Sequence, residues 1–256
     1  MTETLLSSGD PAPWICRNPD GRSPFFFVSE HAGNLVPTKL GGLGLAEADL
    51  SDHIGWDLYI REVGEKLAAR MDASYFYQPY SRLVIDCNRP PGNEQSILKI
   101  ADNRSVPGNM DLSDEHRRQR RDEVFCPFHH TISRALDTRL KHNQKTIFIS
   151  LHSFTPAMKS GGDARPWQIT LQYGRRPELS KKIMAILAAD PTLTVGDNVP
   201  YPVYDDTNYA IPVHGEMRSL PHTMIELRQD GIASEAGRAY WVNKLNDVLS
   251  EVEKKV

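Results

Sequence analysis

The chain has 256 residues, of which 39% are hydrophobic and 25% are charged, and its formal net charge at pH 7 is −3. These fractions are typical of a globular protein with a sizeable buried core, and the length allows one large domain or two small ones. The near balance of 30 basic and 33 acidic groups argues against nucleic-acid binding as the main function.

The cysteines and the apolar runs bear on the cellular compartment. Cys16, Cys87 and Cys126 are widely spaced and form no CxxC pair, which favours a reducing environment. The opening residues MTETLLSSGDPAPW lack the pattern of a secretory signal. No stretch reaches the roughly 18 consecutive apolar residues that a membrane span needs. We therefore expect a cytoplasmic protein that binds neither nucleic acid nor membrane.

The first part of the chain predicts strands separated by a helix. The aromatic run in residues 23–34 predicts a buried strand that ends near Ser29. Apolar residues recur near helical spacing over 57–71. Residues 74–91 contain two β-rich runs, the second of which ends in a Pro-Pro turn.

The remainder of the chain continues this alternation. Ser113 is a good N-cap for a helical pattern over 113–143, which Pro127 is expected to kink or divide. The other predicted elements are strands at 146–154, 167–174 and 222–232, helices at 178–190 and 235–255, and an irregular segment at 195–221. Because helices separate strands throughout, the sequence predicts one α/β domain over residues 1–256 with a mostly parallel sheet.

Polar side chains fall where several predicted strands end. In open α/β sheets, ligands bind outside the carboxyl ends of the strands. Histidines with a carboxylate are the usual donors to catalytic zinc, which lowers the pKa of a water molecule while a nearby carboxylate takes its proton. The candidates are Glu30, His31, Asp52, His53, Asp57, Asp86, Asn88, Arg89, His152, Glu226 and Arg228.

Each candidate also has a purely structural interpretation. His31 and His152 can be ordinary hydrogen-bonded histidines. His53 and Asp57 are four positions apart, so a helix would carry both on one face, either as metal ligands or as a charge pair at its start. Glu226 lies between two apolar residues that point the other way in a strand, and its structural alternative is a salt bridge to Arg228.

Two arginines suggest a substrate that carries a carboxylate. The guanidinium groups of Arg82 and Arg89 match a carboxylate with two parallel hydrogen bonds. For Arg82, a structural ion pair with Asp86 is the competing interpretation.

In combination, the chain resembles the N-formylglutamate amidohydrolase family over nearly its whole length. The matching segments, in the expected order, are SEHAGNLVP (29–37), DHIGWDLYI (52–60), YSRLVIDCNRP (80–90), SLHSFTP (150–156), DNVPYPV (197–203) and HGEMRSLPHTMIELRQD (214–230). The resemblance implies a three-layer α/β/α sandwich around a mixed, mostly parallel sheet, similar to zinc carboxypeptidases. It also implies metal-dependent hydrolysis of an amide beside a free carboxylate.

The resemblance implies roles for individual residues. His31 and His152 would bind a divalent metal, which we expect to be Zn2+, with Asp57 as third ligand and Glu30 or His53 as alternatives. Glu226 would be the general base. Asn88 and Arg89 would hold the substrate carboxylate, and Arg82 would support it or polarise the scissile carbonyl. The remaining expected substrate contacts are Tyr201, Tyr209, His214 and Arg228.

Glu30 departs from the family pattern, in which a proline tends to precede the histidine, so the chain resembles a divergent branch. The expected substrate is a small N-acyl amino acid similar to N-formylglutamate. Two alternatives are a zinc peptidase that acts on small peptides and a non-catalytic ligand-binding or regulatory protein. The sequence makes no prediction of the oligomeric state.

Overall fold

The computed structural model describes residues 4–255, and seven of the strands in that range form one sheet. Within the same range, no helix is both long and apolar enough to cross a bilayer. The strands are β1 (Ile15–Arg17), β2 (Phe25–Ser29), β3 (Ser74–Tyr77), β4 (Ile100–Ala101), β5 (Arg104–Ser105), β6 (Ile147–Phe154), β7 (Ile169–Gln172), β8 (Val195–Asp197) and β9 (His222–Arg228).

The main sheet has the order β1-β3-β2-β6-β9-β7-β8, while β4 and β5 form a separate hairpin. Strands β3, β2, β6 and β9 are parallel to one another. Strand β7 runs antiparallel to β9 and parallel to β8, and β1 runs antiparallel to β3. The predicted mixed, mostly parallel sheet is therefore confirmed, and the carboxyl ends of β2, β6 and β9 lie side by side.

Helices cover both faces of this sheet, as the α/β prediction requires. The helices are α1 (Glu47–Leu50), α2 (Ile60–Met71), α3 (Asp114–Arg120), α4 (Cys126–Lys141), α5 (Glu178–Leu187), α6 (Gln229–Ile232) and α7 (Glu235–Glu253). Alternation along β2 sends Phe25 and Phe27 into a core with α2, α5 and α7, and Phe26 into a second core with α4.

The helical pattern after Ser113 is interrupted, as expected from Pro127, but through a π-helical turn. Ser113 caps α3 by accepting a hydrogen bond from the backbone N–H of His116. Residues Arg121–Phe125 then form a π-helical turn, after which α4 begins at Cys126. Pro127 is the second residue of α4, and the backbone stays helical across the junction, with φ −68° and ψ −56° at Phe125.

The second β-rich run predicted within 74–91 is wrong as a strand. Residues 82–87 form turns and irregular structure, although Leu83, Val84 and Ile85 are buried. Their backbone carbonyls bond to side chains rather than to a strand: Asn109 donates to the Leu83 carbonyl at 2.9 Å, and Arg120 donates to the Val84 carbonyl at 2.9 Å. This apolar run can be a buried loop because side chains make the hydrogen bonds to its backbone that a neighbouring strand would make in a sheet.

Candidate active site

Three buried side chains converge at the carboxyl edge of β2 and β6. His31 follows β2, His152 lies near the end of β6, and Asp57 precedes α2. Oδ2 of Asp57 is 2.7 Å from Nδ1 of His152 and 3.6 Å from Nδ1 of His31. One ligand atom from each residue lies within 4.8 Å of the others. Two imidazole nitrogens and a carboxylate oxygen form a donor set that can hold a divalent metal.

Backbone contacts hold the segments that carry His31 and Asp57 close together. The backbone N–H of Asp57 donates to the His31 carbonyl at 2.8 Å, which ties the two ligand-bearing segments together. Two residues beyond His31, the backbone passes so close to Pro79 that a Cβ on Gly33 would lie 2.0 Å from the Pro79 carbonyl oxygen. Only glycine fits at this position, so Gly33 allows the chain to turn directly after the histidine.

Each histidine of the triad has a carboxylate close to its Nε2 atom. Nε2 of His31 is 2.7 Å from Oδ1 of Asp86, and Nε2 of His152 is 2.8 Å from Oε2 of Glu30. Because an ionised carboxylate only accepts, Nε2 of His31 donates to Asp86, which leaves Nδ1 of that ring, when neutral, with a free lone pair. Both nitrogens of His152 face carboxylates, Nε2 that of Glu30 and Nδ1 that of Asp57, and these two groups raise the pKa of the imidazole to about 10. A metal bound at Nδ1 of His152 would take the place of the proton there. Such carboxylates commonly orient metal-binding histidines.

The polar atoms and charges of the site fit a bound cation. Nδ1 of His31 is buried and has no hydrogen-bond partner within residues 4–255. Burial opposes ionisation of Asp86, but the neighbouring His31 and Arg82 hold the pKa of its carboxyl well below the usual value. Glu30 and Asp57 have lowered pKa values as well, since their interactions with the histidines outweigh burial. Buried carboxylates of this kind either pair with cationic side chains or bind metals, so the charge of the site is compatible with a bound cation.

Glu226 lies beside this triad on the neighbouring strand. It pairs in register with His152, and its neighbours Ile225 and Leu227 point into the opposite core. Glu226 lines the same cavity of about 280 Å³ as the three donors. Burial raises the pKa of its carboxyl, which brings the group closer to the range where it can accept and return a proton. The alternative salt bridge is not formed, because Arg228 pairs with Asp230 at 2.7 Å.

For Arg82, the sequence allows an ion pair with Asp86 or a role at the substrate, and the structure bears on both. Its Nη2 is 2.9 Å from Oδ2 of Asp86, and its Nη1 is 3.4 Å from Oδ1 of Asp57. The ion pair with Asp86 is therefore present, and Arg82 lines the cavity as well. The two carboxylates hold the guanidinium group next to the site where a metal would bind.

Asn88 and Arg89 line the cavity on the side of the loop after residue 86. The side-chain oxygen of Asn88 accepts hydrogen bonds from the backbone N–H groups of Tyr209 at 3.2 Å and Ala210 at 3.1 Å. Its side-chain NH2 group is thereby turned away from those amides and can donate. Arg89 donates to the backbone carbonyls of Thr207 and Asn88, and no described carboxylate lies within salt-bridge distance of it.

The structure does not bring every predicted residue to the cavity. Tyr201 lies on its rim, but Tyr209, His214 and Arg228 do not line it. His214 is fully buried within the second core region. Among the alternative ligands, Oε2 of Glu30 lies 2.8 Å from Nε2 of His152. His53 lines the cavity, but its Nδ1 forms a hydrogen bond with Asp52 and its Nε2 lies 2.9 Å from Oδ2 of Asp102. The helical face expected to join His53 to Asp57 is absent, because residues 51–57 form turns.

Arg165 is a cavity residue that the sequence interpretation missed. It lies in the loop after β6, donates to the Thr155 carbonyl at 3.3 Å and lies 3.3 Å from the Tyr201 hydroxyl. Within residues 4–255 it has no carboxylate partner at salt-bridge distance, a feature that it shares with Arg89. The Gly-rich sequence of this loop gave no sign that one of its residues reaches the cavity.

Comparison with known proteins connects this geometry to a family. The family model of N-formylglutamate amidohydrolase matches residues 23–233. A search of curated proteins finds no match to the sequence. The crystal structure of gene product Atu2144 from Agrobacterium tumefaciens is similar, with 29% identity, 98% coverage of both chains and a TM-score of 0.93.

A second solved structure, N-formylglutamate amidohydrolase from Ralstonia eutropha JMP134, has the same fold. It shares 18% identity with this chain, covers 96% of it over 100% of its own length, and gives a TM-score of 0.75. The family match spans more than half of the chain, including all three converging donors and Glu226. The chain therefore belongs to the N-formylglutamate amidohydrolase family.

Proposed function

We propose that this protein is a zinc-dependent amidohydrolase that cleaves an N-formyl or N-acyl amino acid similar to N-formylglutamate. The observation that carries the proposal is the placement of Glu226 beside the His31, Asp57 and His152 triad, on one wall of one cavity. The family membership supports the amidohydrolase activity. Zinc is the proposed metal because it favours nitrogen and carboxylate donors in sites with an open coordination position.

His31, Asp57 and His152 would hold the zinc ion, which supplies a Lewis acid that polarises a carbonyl group and makes water more acidic. Glu226 takes a proton from the attacking water and delivers it to the leaving nitrogen, as its raised pKa allows. The C–N bond breaks, and the products are a carboxylate and an amine. Arg82 donates to the carbonyl oxygen as negative charge develops on it.

Two guanidinium groups without carboxylate partners support a substrate with two carboxylates. Arg89 and Asn88 line the cavity, and the guanidinium group together with the side-chain NH2 group of Asn88 would bind one carboxylate. Arg165 lines the same cavity and interacts with carbonyl and phenol oxygens rather than with an acidic side chain. A substrate anion can compensate each of these charges, which favours an acidic side chain on the amino acid.

The test is hydrolysis of a panel of N-formyl and N-acetyl amino acids by zinc-loaded protein, with a chelator-treated sample as the control. We expect turnover that requires metal and that is fastest for an acidic side chain. Stoichiometric zinc without turnover of any member would contradict the proposed substrate class. A protein that binds no zinc and hydrolyses nothing would instead support the non-catalytic alternative.

A further inference from the structure

A pair of buried histidines lies behind the loop that carries Asn88 and Arg89. His129, on α4, is 3% exposed, and His214, in the π-helical turn Ile211–Glu216, is 0% exposed. Nδ1 of His129 is 2.9 Å from Nε2 of His214, and Nε2 of His129 is 2.7 Å from the Cys87 carbonyl oxygen. Neither histidine lines the cavity, so the proposed reaction uses neither directly.

The chemistry of these contacts fixes the proton positions. A carbonyl oxygen only accepts, so Nε2 of His129 donates to Cys87. In a neutral ring, Nδ1 of His129 is then an acceptor, and Nε2 of His214 must donate to it. Burial lowers the pKa values of both histidines, which keeps the rings neutral. The pair thus forms a directed chain of hydrogen bonds that ends on the Cys87 carbonyl.

The same π-helical region contacts the loop at a second point. Asn88 accepts hydrogen bonds from the backbone N–H groups of Tyr209 and Ala210, just before the turn that carries His214. Asp86, one residue before Cys87, is anchored separately by Arg82 and by its own N–H bond to the Ser96 carbonyl at 2.7 Å. The histidine pair is therefore expected to hold the Asn88 side of the loop in place, whereas the Asp86 side is held by other groups.

We propose that His129, with its proton position set by His214, is a positioning residue that fixes the Cys87 carbonyl and thereby directs Asn88 and Arg89 into the cavity. The inference rests on the proposed function in taking Arg89 as the group that binds a substrate carboxylate. The aromatic packing of His129 against Phe125 and Tyr209, both with ring centroids 4.4 Å away, holds the imidazole in place.

The kinetic test compares His129→Leu, which removes the donor, with His129→Gln, which keeps an N–H group for the Cys87 carbonyl. The neighbouring exposed His130 supplies the matched control, His130→Leu. We expect His129→Leu to raise the KM of zinc-loaded enzyme for N-formylglutamate about tenfold, with kcat changed by less than about twofold. His129→Gln is expected to restore most of this loss. An unchanged KM in His129→Leu, or equal defects in both variants, would overturn the proposal.

Amide hydrogen exchange of the whole protein gives a readout that needs no turnover. In His129→Leu, exchange at residues 88–89 and 209–210 is expected to be at least about tenfold faster, while Asp86 and α7 keep their protection. Uniformly faster exchange would mean that His129 only stabilises the fold, and would contradict a positioning role. If the wild-type protein hydrolyses no N-acyl amino acid, the proposed function fails, whereas the exchange pattern still decides the role of His129.

Discussion

His152 and Glu226 occupy paired positions on the adjacent parallel strands β6 and β9, and both face the same cavity. Their strands fix the relative positions of an imidazole that can bind a metal and of a carboxyl with a raised pKa. A proposed base on a strand of the central sheet is held in a fixed position relative to the proposed metal ligand.

Replacing Glu226 should separate metal binding from catalysis. In Glu226→Gln, we expect zinc stoichiometry to be unchanged, because the three proposed ligands remain, and kcat to fall by about 10²–10⁴-fold through loss of the base. The measurements are zinc content after dialysis and turnover of N-formylglutamate. Glu47→Gln, at an exposed position in α1, is the matched control. Full activity in Glu226→Gln would show that another group takes the proton.

Glu30 provides a test of whether a carboxylate behind His152 tunes the metal site. In Glu30→Gln, the carboxylate that lies 2.8 Å from Nε2 of His152 is lost, while His31, Asp57 and His152 are retained. We expect zinc affinity to decrease by about 10–100-fold, as is usual when such partners of metal-binding histidines are replaced. His152→Ala, which removes a proposed ligand, should abolish stoichiometric binding. Competition with a chelator of known affinity measures both.

An unchanged zinc affinity in Glu30→Gln would mean that Glu30 has no influence on the metal. The neighbouring Ser150, whose hydroxyl donates to Oε2 of Glu30 at 2.9 Å, offers a milder perturbation of the same carboxylate. Ser150→Ala is therefore expected to give a smaller decrease in affinity than Glu30→Gln.

Arg165 should determine preference for an acidic side chain. We expect Arg165→Gln to lower kcat/KM for N-formylglutamate by about tenfold or more, because a charge-assisted hydrogen bond is lost. N-formylglutamine, which is similar in shape but uncharged in its side chain, should be nearly unaffected. Arg176→Gln, at an exposed position outside the cavity, is the control. Equal losses on both substrates would indicate that Arg165 contributes only to the structure of the loop.

The sequence predicts the five inner strands of the central sheet, because their β-rich runs are short and bounded by turns. The edge strands β1 and β8, of three residues each, are not predicted. The runs predicted at 146–154 and 222–232 form β6 and β9, although β9 ends at Arg228 and residues Gln229–Ile232 form α6 instead. Parallel pairing of these two strands brings His152 beside Glu226. The run at 82–87 has the same apolar character but forms turns. Its backbone is satisfied by Asn109 and Arg120, which lie far along the chain and whose approach no local pattern reveals.

The contacts that Glu30 and His214 make are not predicted by the sequence. Sequence reasoning suggested Glu30 only as an alternative ligand, whereas its contact with His152 depends on how β2 and β6 are aligned. The family resemblance implies that His214 contacts the substrate. A π-helical turn instead directs it into the core against His129. Such a change in direction arises from tertiary packing and leaves no periodic signal.

The His129 and His214 pair predicts how stability responds to acid. Burial lowers the pKa of His129 to about 4, from an ordinary value of 6.5. Between these values, the unfolded chain binds a proton that the folded protein does not, so the free energy of unfolding decreases as the pH falls from 6.5 towards 4. His129 alone contributes a loss on the order of 3 kcal/mol across this window.

Urea unfolding at several pH values between 7 and 4 measures this contribution. Because His129→Gln has no proton to bind at this position, its free energy of unfolding should decrease less steeply over the same window than that of the wild-type protein. The wild-type and His129→Gln curves should therefore converge as the pH falls. Parallel curves would mean that His129 is protonated equally in the folded and unfolded states, contrary to its burial between the Cys87 carbonyl and His214.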